Sequence, residues 1–257
     1  MALNSVSNKA KIGTNVTIGD FTVIKDDVVI GNNVKIGSNV LIDDGARISD
    51  NVILHHGAVV SSIPQDLKFK GEVTTLEIGE STVVREYATL NRGTEANGKT
   101  VVGKNCLLMA YSHVAHDCTI GDNVIIANCG TLGGHVEIGD WAIVGGLVAV
   151  HQFVKIGAHT LLAGFTKAVK DIPPYIIAGS NPMKYEGVNI IGLKRRGFTV
   201  EQIDSIKEFY KLLYKSGLNI SDAVKQITAS IAGTNETGVI LDFISRSTRG
   251  ILTDKER

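Results

Sequence analysis

The feature that most constrains this chain is a phase. Stepping by six from Val6 meets Ile12, Ile18, Ile24, Ile30, Ile36, Ile42, Ile48, Leu54 and Val60, and the step runs on to Leu162 and Ala168. Of the 28 positions from 6 to 168, 24 carry Val, Ile or Leu, far too many for chance recurrence. The exceptions are Asp66, Glu72, Ala96 and Ala168. Glycine often follows the aliphatic residue, as at Gly13, Gly31, Gly103 and Gly121. A period of six suits neither an amphipathic helix nor an alternating strand. It is the hexapeptide signature of a parallel β-helix. Each hexad supplies a short strand with one inward aliphatic residue. Gly or Asn then takes the corner, where other residues resist the backbone angles. Three hexads close one triangular coil, and coils stack at the strand spacing of about 4.8 Å.

The phase fails at 66 and 72 and again at 96, so two loops leave the column, near 61–77 and 91–100. Loops on a rigid scaffold often carry function. The first concentrates Gln65, Asp66, Lys68 and Lys70; the second is flanked by Gly93 and Gly98. Asp171-Ile-Pro-Pro-Tyr175 is expected to end the repeat, because proline lacks the ladder donor. Tyr175 to Arg196 reads as a connector with a basic tip. Beyond it, Thr199 and Gln202 form a capping box for a first helix, which Gly217 ends. Ser221 is placed to cap a second helix to about Ile231, and a third runs roughly from Glu236 to Ser247. The expected organisation is a β-helix over residues 1–190 and a C-terminal helical domain over 191–257.

Formal charge is zero, which gives no support to nucleic-acid binding. The longest apolar run, about 141–150, is far short of a spanning helix, and residues 1–13 hold no signal-peptide core. Cys106, Cys118 and Cys129 lack metal-type spacing and cannot all pair, so reduced thiols in a cytoplasm are expected.

Chemistry concentrates in the middle coils, where five of seven histidines lie between 113 and 159. Residues 18 apart stack, so 116, 134 and 152 make one column: His116, Gly134 and Gln152. Beside it Asp117, His135 and Phe153 stack, and on the other side Ala115, Gly133 and His151. Three histidines and an aspartate therefore fall within a few coil spacings, on the order of 10 Å. His113 lies on the same coil as His116. A neutral histidine suits general-base work near neutral pH. Gly134 has no side chain to keep its N–H from a developing oxyanion. Base plus oxyanion donor points to acyl transfer onto a hydroxyl or amine. The same imidazoles also suit zinc, as in hexapeptide-repeat carbonic anhydrases, and spacing does not decide between the two. A non-catalytic scaffold would not need His116, Gly134 and His135 in register.

Several segments occur in one order: Gln65-Asp-Leu-Lys68, His113-Val-Ala-His-Asp-Cys118, Gly133-Gly-His135, Val150-His-Gln-Phe153, Pro173-Pro-Tyr175, Val188-Asn-Ile190, Gly192-Leu-Lys-Arg-Arg-Gly197 and Ser245-Arg-Ser-Thr-Arg-Gly250. Together, over essentially the whole chain, they resemble the UDP-N-acetylglucosamine O-acyltransferases that start lipid A biosynthesis. The resemblance implies a left-handed column and a homotrimer with clefts between neighbours. It also implies transfer of an (R)-3-hydroxyacyl chain from acyl carrier protein to the sugar 3-hydroxyl, without a cofactor or metal of the enzyme's own, since the phosphopantetheine thioester arrives with the carrier. Position by position, it assigns His116 as general base, Asp117 as its orienting partner and Gly134 as oxyanion donor. His113, His135, His151 and Gln152 match substrate-contacting positions, and Asp66 and Lys68 match the sugar- and phosphate-side loop. Asn189, Arg195 and Arg196 match positions near the nucleotide, where arginine suits a diphosphate. Gly164 falls where acyl length is set; an open groove there predicts a long chain, about fourteen carbons or more. Ile191 departs from the pattern, which often has an acid there. The sibling N-acyltransferase is the alternative within the class, but it normally carries a further N-terminal domain. Lys155, Lys167, Lys170 and Lys211 are candidate contacts for an acidic carrier.

Overall fold

The computed structural model describes residues 3–230 and 233–254. Strands of two to four residues, spaced by six except at the two excursions, run from Ser5–Val6 to Lys167–Ala168 and deal themselves in turn to three parallel sheets. Val6 pairs with Ile24, Ile12 with Ile30 and Ile18 with Ile36, so three hexads make one coil. We call the sheets the first, second and third faces, in the order in which the chain visits them. At the excursions Ile48 pairs with Ile78 and Ile78 with Val102, separations of 30 and 24 in place of 18. Both are multiples of six, which is why the phase returns after each loop.

The phased aliphatic residues form the core and are almost wholly buried from Ile24 to Ile156. A second inward row, two residues before the first, holds Thr22, Val34, Ala58, Thr82, Cys106, Cys118 and Val136. Small residues fit there because the coil is narrow. This row explains two of the cysteines: burial pushes the Cys106 thiol up to about 11 and the Cys118 thiol up to about 12, values of inert core groups. The first coil departs from the pattern. Val6 and Ile12 keep 40% and 37% of their surface exposed, since no described coil lies beyond them. Replacing Leu108, at 0% exposure with coils on both sides, by alanine is expected to cost about 2–5 kcal/mol in chemical denaturation.

The corner chemistry differs from expectation. The left-handed residue is the third after the inward aliphatic, and it is Asn at 15, 33, 39, 51, 105 and 123 and Gly at 45 and 57, but Phe, Tyr, Trp, His, Asp, Ser, Cys or Leu elsewhere. The glycine directly after the aliphatic serves close stacking instead. A Cβ on Gly19 would sit 2.6 Å from the Gly37 carbonyl carbon of the next coil.

Nor do the prolines end the repeat. They occupy a corner, and Ile176–Gly179 still pairs in parallel with Leu161–Leu162 on the third face. Lys184–Val188 then returns antiparallel. The connector also holds a helix that the sequence pattern hid, α1 at Ile190–Arg195, with Asn189 as its cap. Helix α2, Val200–Lys215, has the expected Thr199–Gln202 capping box. Helix α3, Ile220–Ser230, is capped by Asn219 rather than Ser221: Asn219 Oδ1 accepts from Asp222 N at 2.9 Å. The expected end near Ile231 lies outside the described residues. Helix α4 spans Asn235–Ser245. Tyr210 and Tyr214 donate to the carbonyls of Pro174 and Leu252, fastening α2 to the end of the column. Buried Asp171 ties the chain end down as well, accepting from Ser247 Oγ at 2.6 Å and Lys155 N at 2.8 Å. No described helix is long and apolar enough to cross a membrane.

Candidate active site

Both excursions leave the column at one corner, between the first and second faces, and the histidine cluster sits on that corner a coil or two further on. His113 pairs with Thr131, and Thr131 with Ala149, so the expected register of 18 holds through the site. Adjacent residues of a strand point to opposite faces. His116 and Asp117 escape this because they lie in the corner, where Asp117 takes φ +60. Their side chains converge, and His116 Nδ1 lies 2.7 Å from Asp117 Oδ2.

Asp117 is buried. Burial pushes its carboxyl up, but hydrogen bonds from the Thr94 hydroxyl, His116 and the Thr94 N–H more than offset it, so the group stays ionised. The Thr94 hydroxyl donates to Oδ2 at 2.6 Å and its N–H to Oδ1 at 2.9 Å. An ionised carboxylate accepts, so His116 donates through Nδ1. Its Nε2 keeps a free lone pair, the state a general base needs.

His135 lies one coil on, its Nε2 3.6 Å from Asp117 Oδ2 and its ring edge-on to His116 at 5.2 Å. Phe153 stacks on the other side of His135, with centroids 4.5 Å apart. Burial favours the neutral form of both His135 and His113. Thr89 Oγ1 lies 2.7 Å from His113 Nδ1 and fixes that ring.

Gly134 sits over the His116 ring. A Cβ there would come within 2.6 Å of Cε1 and 2.7 Å of Nε2. At the equivalent corner position, the N–H of Thr14, Asn32, Lys104 and Asp122 is held by an Asn or Asp side-chain oxygen from the next coil. Among the described residues the Gly134 N–H has no such acceptor, and Gln152 of the next coil makes no hydrogen bond to it. An unengaged donor beside an unengaged base is an arrangement for a developing oxyanion.

A cleft of about 500 Å³ opens on this corner, lined by Gln65, Asp66, Leu67, Lys68, His116, His135, Gln152 and Phe153. The first excursion therefore brings Asp66 and Lys68 to the histidines. The second holds the first in place: Asn91 Nδ2 donates to Ser62 Oγ and the Ile63 carbonyl, and the Arg92 guanidinium lies over the Phe69 ring. Sequence reasoning missed Thr94 and Leu67, and it placed Phe153 beside His135 without a role. Only the broken phase at 96 and the flanking Gly93 and Gly98 marked the neighbourhood of Thr94.

Other expected site residues do not join this cluster within one chain. His151 is exposed, with Nδ1 3.1 Å from the Gln152 carbonyl, and does not line the cleft. Gly164 lies on the corner between the third and first faces, where a Cβ would meet only Gly146, its carbonyl oxygen 3.1 Å away. Asn189 and Arg196 lie by the corner between the second and third faces. Asn189 spends its amide on capping α1 and on the His159 carbonyl at 2.9 Å, so its visible role is structural. Arg196 packs over the Trp141 ring and reaches His159, whose imidazole burial, with Arg196 beside it, holds down at about 4. Arg195 is exposed, and Ile191 stands exposed on the first turn of α1. Lys155, expected to meet a carrier, is paired with Glu137 at 3.0 Å.

Ligand atoms of His116, Asp117 and His135 all lie within 4.8 Å of one another. His116 Nδ1 and Asp117 Oδ2 are already hydrogen-bonded to each other, and Oδ2 also accepts from the Thr94 hydroxyl.

Fold and corner together define a hexapeptide-repeat transferase, and residues 9–44, 27–62 and 99–134 match the bacterial transferase hexapeptide. Residues 171–252 match the second domain of UDP-N-acetylglucosamine O-acyltransferase. An acyl-acyl-carrier-protein–UDP-N-acetylglucosamine O-acyltransferase from Chlorobaculum parvum is 50% identical over 95% of this chain and 93% of its own length. Another from Trichlorobacter lovleyi is 51% identical over 96% of both. The crystal structure of a UDP-N-acetylglucosamine acyltransferase from Bacteroides fragilis is 46% identical, with a TM-score of 0.94 over 97% of this chain and 98% of that one. The chain belongs to the UDP-N-acetylglucosamine O-acyltransferase family, and its column is a left-handed β-helix.

Proposed function

We propose that this protein transfers an (R)-3-hydroxyacyl chain from acyl carrier protein to the 3-hydroxyl of UDP-N-acetylglucosamine, the opening step of lipid A synthesis, as a cytoplasmic homotrimer. The observation that carries the reading is the pairing of His116 Nδ1 with Asp117, which leaves Nε2 free beside an unengaged Gly134 N–H. Nε2 takes the proton of the sugar hydroxyl as its oxygen attacks the thioester carbonyl. The Gly134 N–H donates to the oxyanion of the tetrahedral intermediate. Collapse expels the pantetheine thiolate, which recovers the proton from the His116 imidazolium. Asp117 remains ionised throughout and stabilises the transient imidazolium. Asp66, Lys68, His135 and Gln152 line the sugar side of the cleft. The thioester comes with the carrier, so the chemistry asks for no further cofactor or metal.

The placement of the residues supports the trimer. His116, Gly164 and Arg196 stand on three different corners of one column. A trimer that sets one corner of a subunit against another corner of its neighbour completes a site that a single column leaves divided. Gly164→Met is expected to move donor preference toward shorter acyl chains, read by competition between carriers bearing different chains. An unchanged preference would remove Gly164 from the groove.

The deciding experiment measures transfer from 3-hydroxyacyl carrier protein to UDP-N-acetylglucosamine with chelator present. Transfer that persists in chelator supports the reading. No transfer, with chelator-sensitive hydration of carbon dioxide instead, overturns it.

A further inference from the structure

The second excursion does more than brace the first. Between Thr89–Asn91 and Lys99–Val102 the chain turns into the corner below His116 and buries Thr94 against Asp117. Thr94 gives both of its donors to the two oxygens of one carboxylate, 2.6 and 2.9 Å away. Its loop is closed around this contact. Gly98 N donates to the Thr94 carbonyl at 2.8 Å, Ala96 N reaches Thr94 Oγ1, and Asn97 Nδ2 donates to the Asp117 carbonyl. Gly93 admits no Cβ, because the Lys99 backbone occupies that space. The Asp117 oxygen that takes the Thr94 hydroxyl proton is also the one that pairs with His116 Nδ1.

We infer that Thr94 is a positioning residue for the reaction proposed above, the outer member of a Thr94–Asp117–His116 relay that sets both the direction and the proton affinity of the His116 base. The physical argument is competition for one anion. A hydroxyl donating to Oδ2 spreads the carboxylate charge and so weakens its hold on an imidazolium. Removing that hydroxyl leaves a more concentrated charge facing Nδ1. The imidazolium is then favoured, and neutral base is lost at a higher pH than before. The other charged and titratable groups facing the pair are His135 and His113, Asp66 and Lys68 from the first excursion, and Glu137 and Lys155 on the second face. None of them donates to the Asp117 carboxylate by a hydrogen bond, so none substitutes for Thr94.

The inference rests on the acyltransferase reading, and two variants with two readouts keep them separable. Thr94→Val keeps the shape and the N–H and removes only the hydroxyl; Thr94→Ser keeps the hydroxyl. For Thr94→Val, kcat is expected to fall on the order of tenfold, the equivalent of one charge-assisted hydrogen bond, with KM nearly unchanged. The acidic limb of the kcat/KM–pH profile should move up by roughly half a unit to one unit. In the resting enzyme the midpoint of the His116 ring titration, followed by nitrogen NMR, should move up by the same amount. Thr94→Ser should restore both. A Thr94→Val enzyme that loses activity with the limb and the ring titration unmoved would show a merely structural loop and overturn the relay. Absence of acyl transfer by the unaltered enzyme would overturn the reaction instead, and the ring titration would still decide the relay.

Discussion

His116→Ala is expected to lower kcat by about 100- to 10,000-fold, the range in which positioned general bases contribute. The substitution removes the only imidazole whose Nδ1 is held by Asp117 and whose Nε2 faces Gly134. His135 cannot take over: its Nε2 is 3.6 Å from Asp117, and its ring is stacked against Phe153. The fold should survive. Asp117 keeps both hydrogen bonds from Thr94, and the corner backbone keeps the bond from His135 N to the residue 116 carbonyl at 3.0 Å. KM for the sugar nucleotide should change little, because the loss falls on an interaction made in the transition state. The check is steady-state kinetics with circular dichroism. A folded variant within tenfold of the parent would transfer the base role elsewhere.

The column was legible because every hexad repeats one physical demand, an inward aliphatic residue that only stacking can bury. The 18-residue register was legible too, since closure of three hexads follows from the period, and it placed His116, Gly134 and His135 together. What the period does not carry was less legible. The second inward row mixes Val and Ala with Thr and Cys, a weaker signal than the Val, Ile and Leu of the first, and Cys106 and Cys118 read as unexplained thiols rather than core. The convergence of His116 and Asp117 required a left-handed corner at an aspartate, which sequence marks only when the residue is Gly or Asn. Thr94 lies 23 residues from Asp117, inside a loop with no periodicity, and nothing but the fold joins them. Asn189 was singled out only by a resemblance, and the structure adds a local role: its short side chain and the Gly192 N–H three residues on make it the cap of α1.

The same corner predicts that the smallest possible side chain is destructive at position 134. Gly134→Ala is expected to lower kcat by about 100- to 1,000-fold, comparable to losing an oxyanion donor, with thermal stability nearly unchanged. Gly134 lies outside the left-handed region, so alanine meets no backbone penalty there. The added methyl would instead stand 2.6 Å from His116 Cε1 and 2.7 Å from Nε2, closer than any real contact. The ring must turn, which breaks its 2.7 Å bond to Asp117, or the backbone must retreat, which carries the N–H away from the oxyanion. In a His116→Ala background Gly134→Ala should cost little further in either case, because the clashing atoms are gone. A crystal structure of Gly134→Ala separates the two: either the ring has left Asp117 with the residue 134 backbone in place, or the ring holds and the backbone has moved. The first outcome is expected. The ring is held by one hydrogen bond and an edge contact with His135, whereas the Gly134 backbone is clamped between neighbouring coils, with its carbonyl accepting from Phe153 N at 3.0 Å.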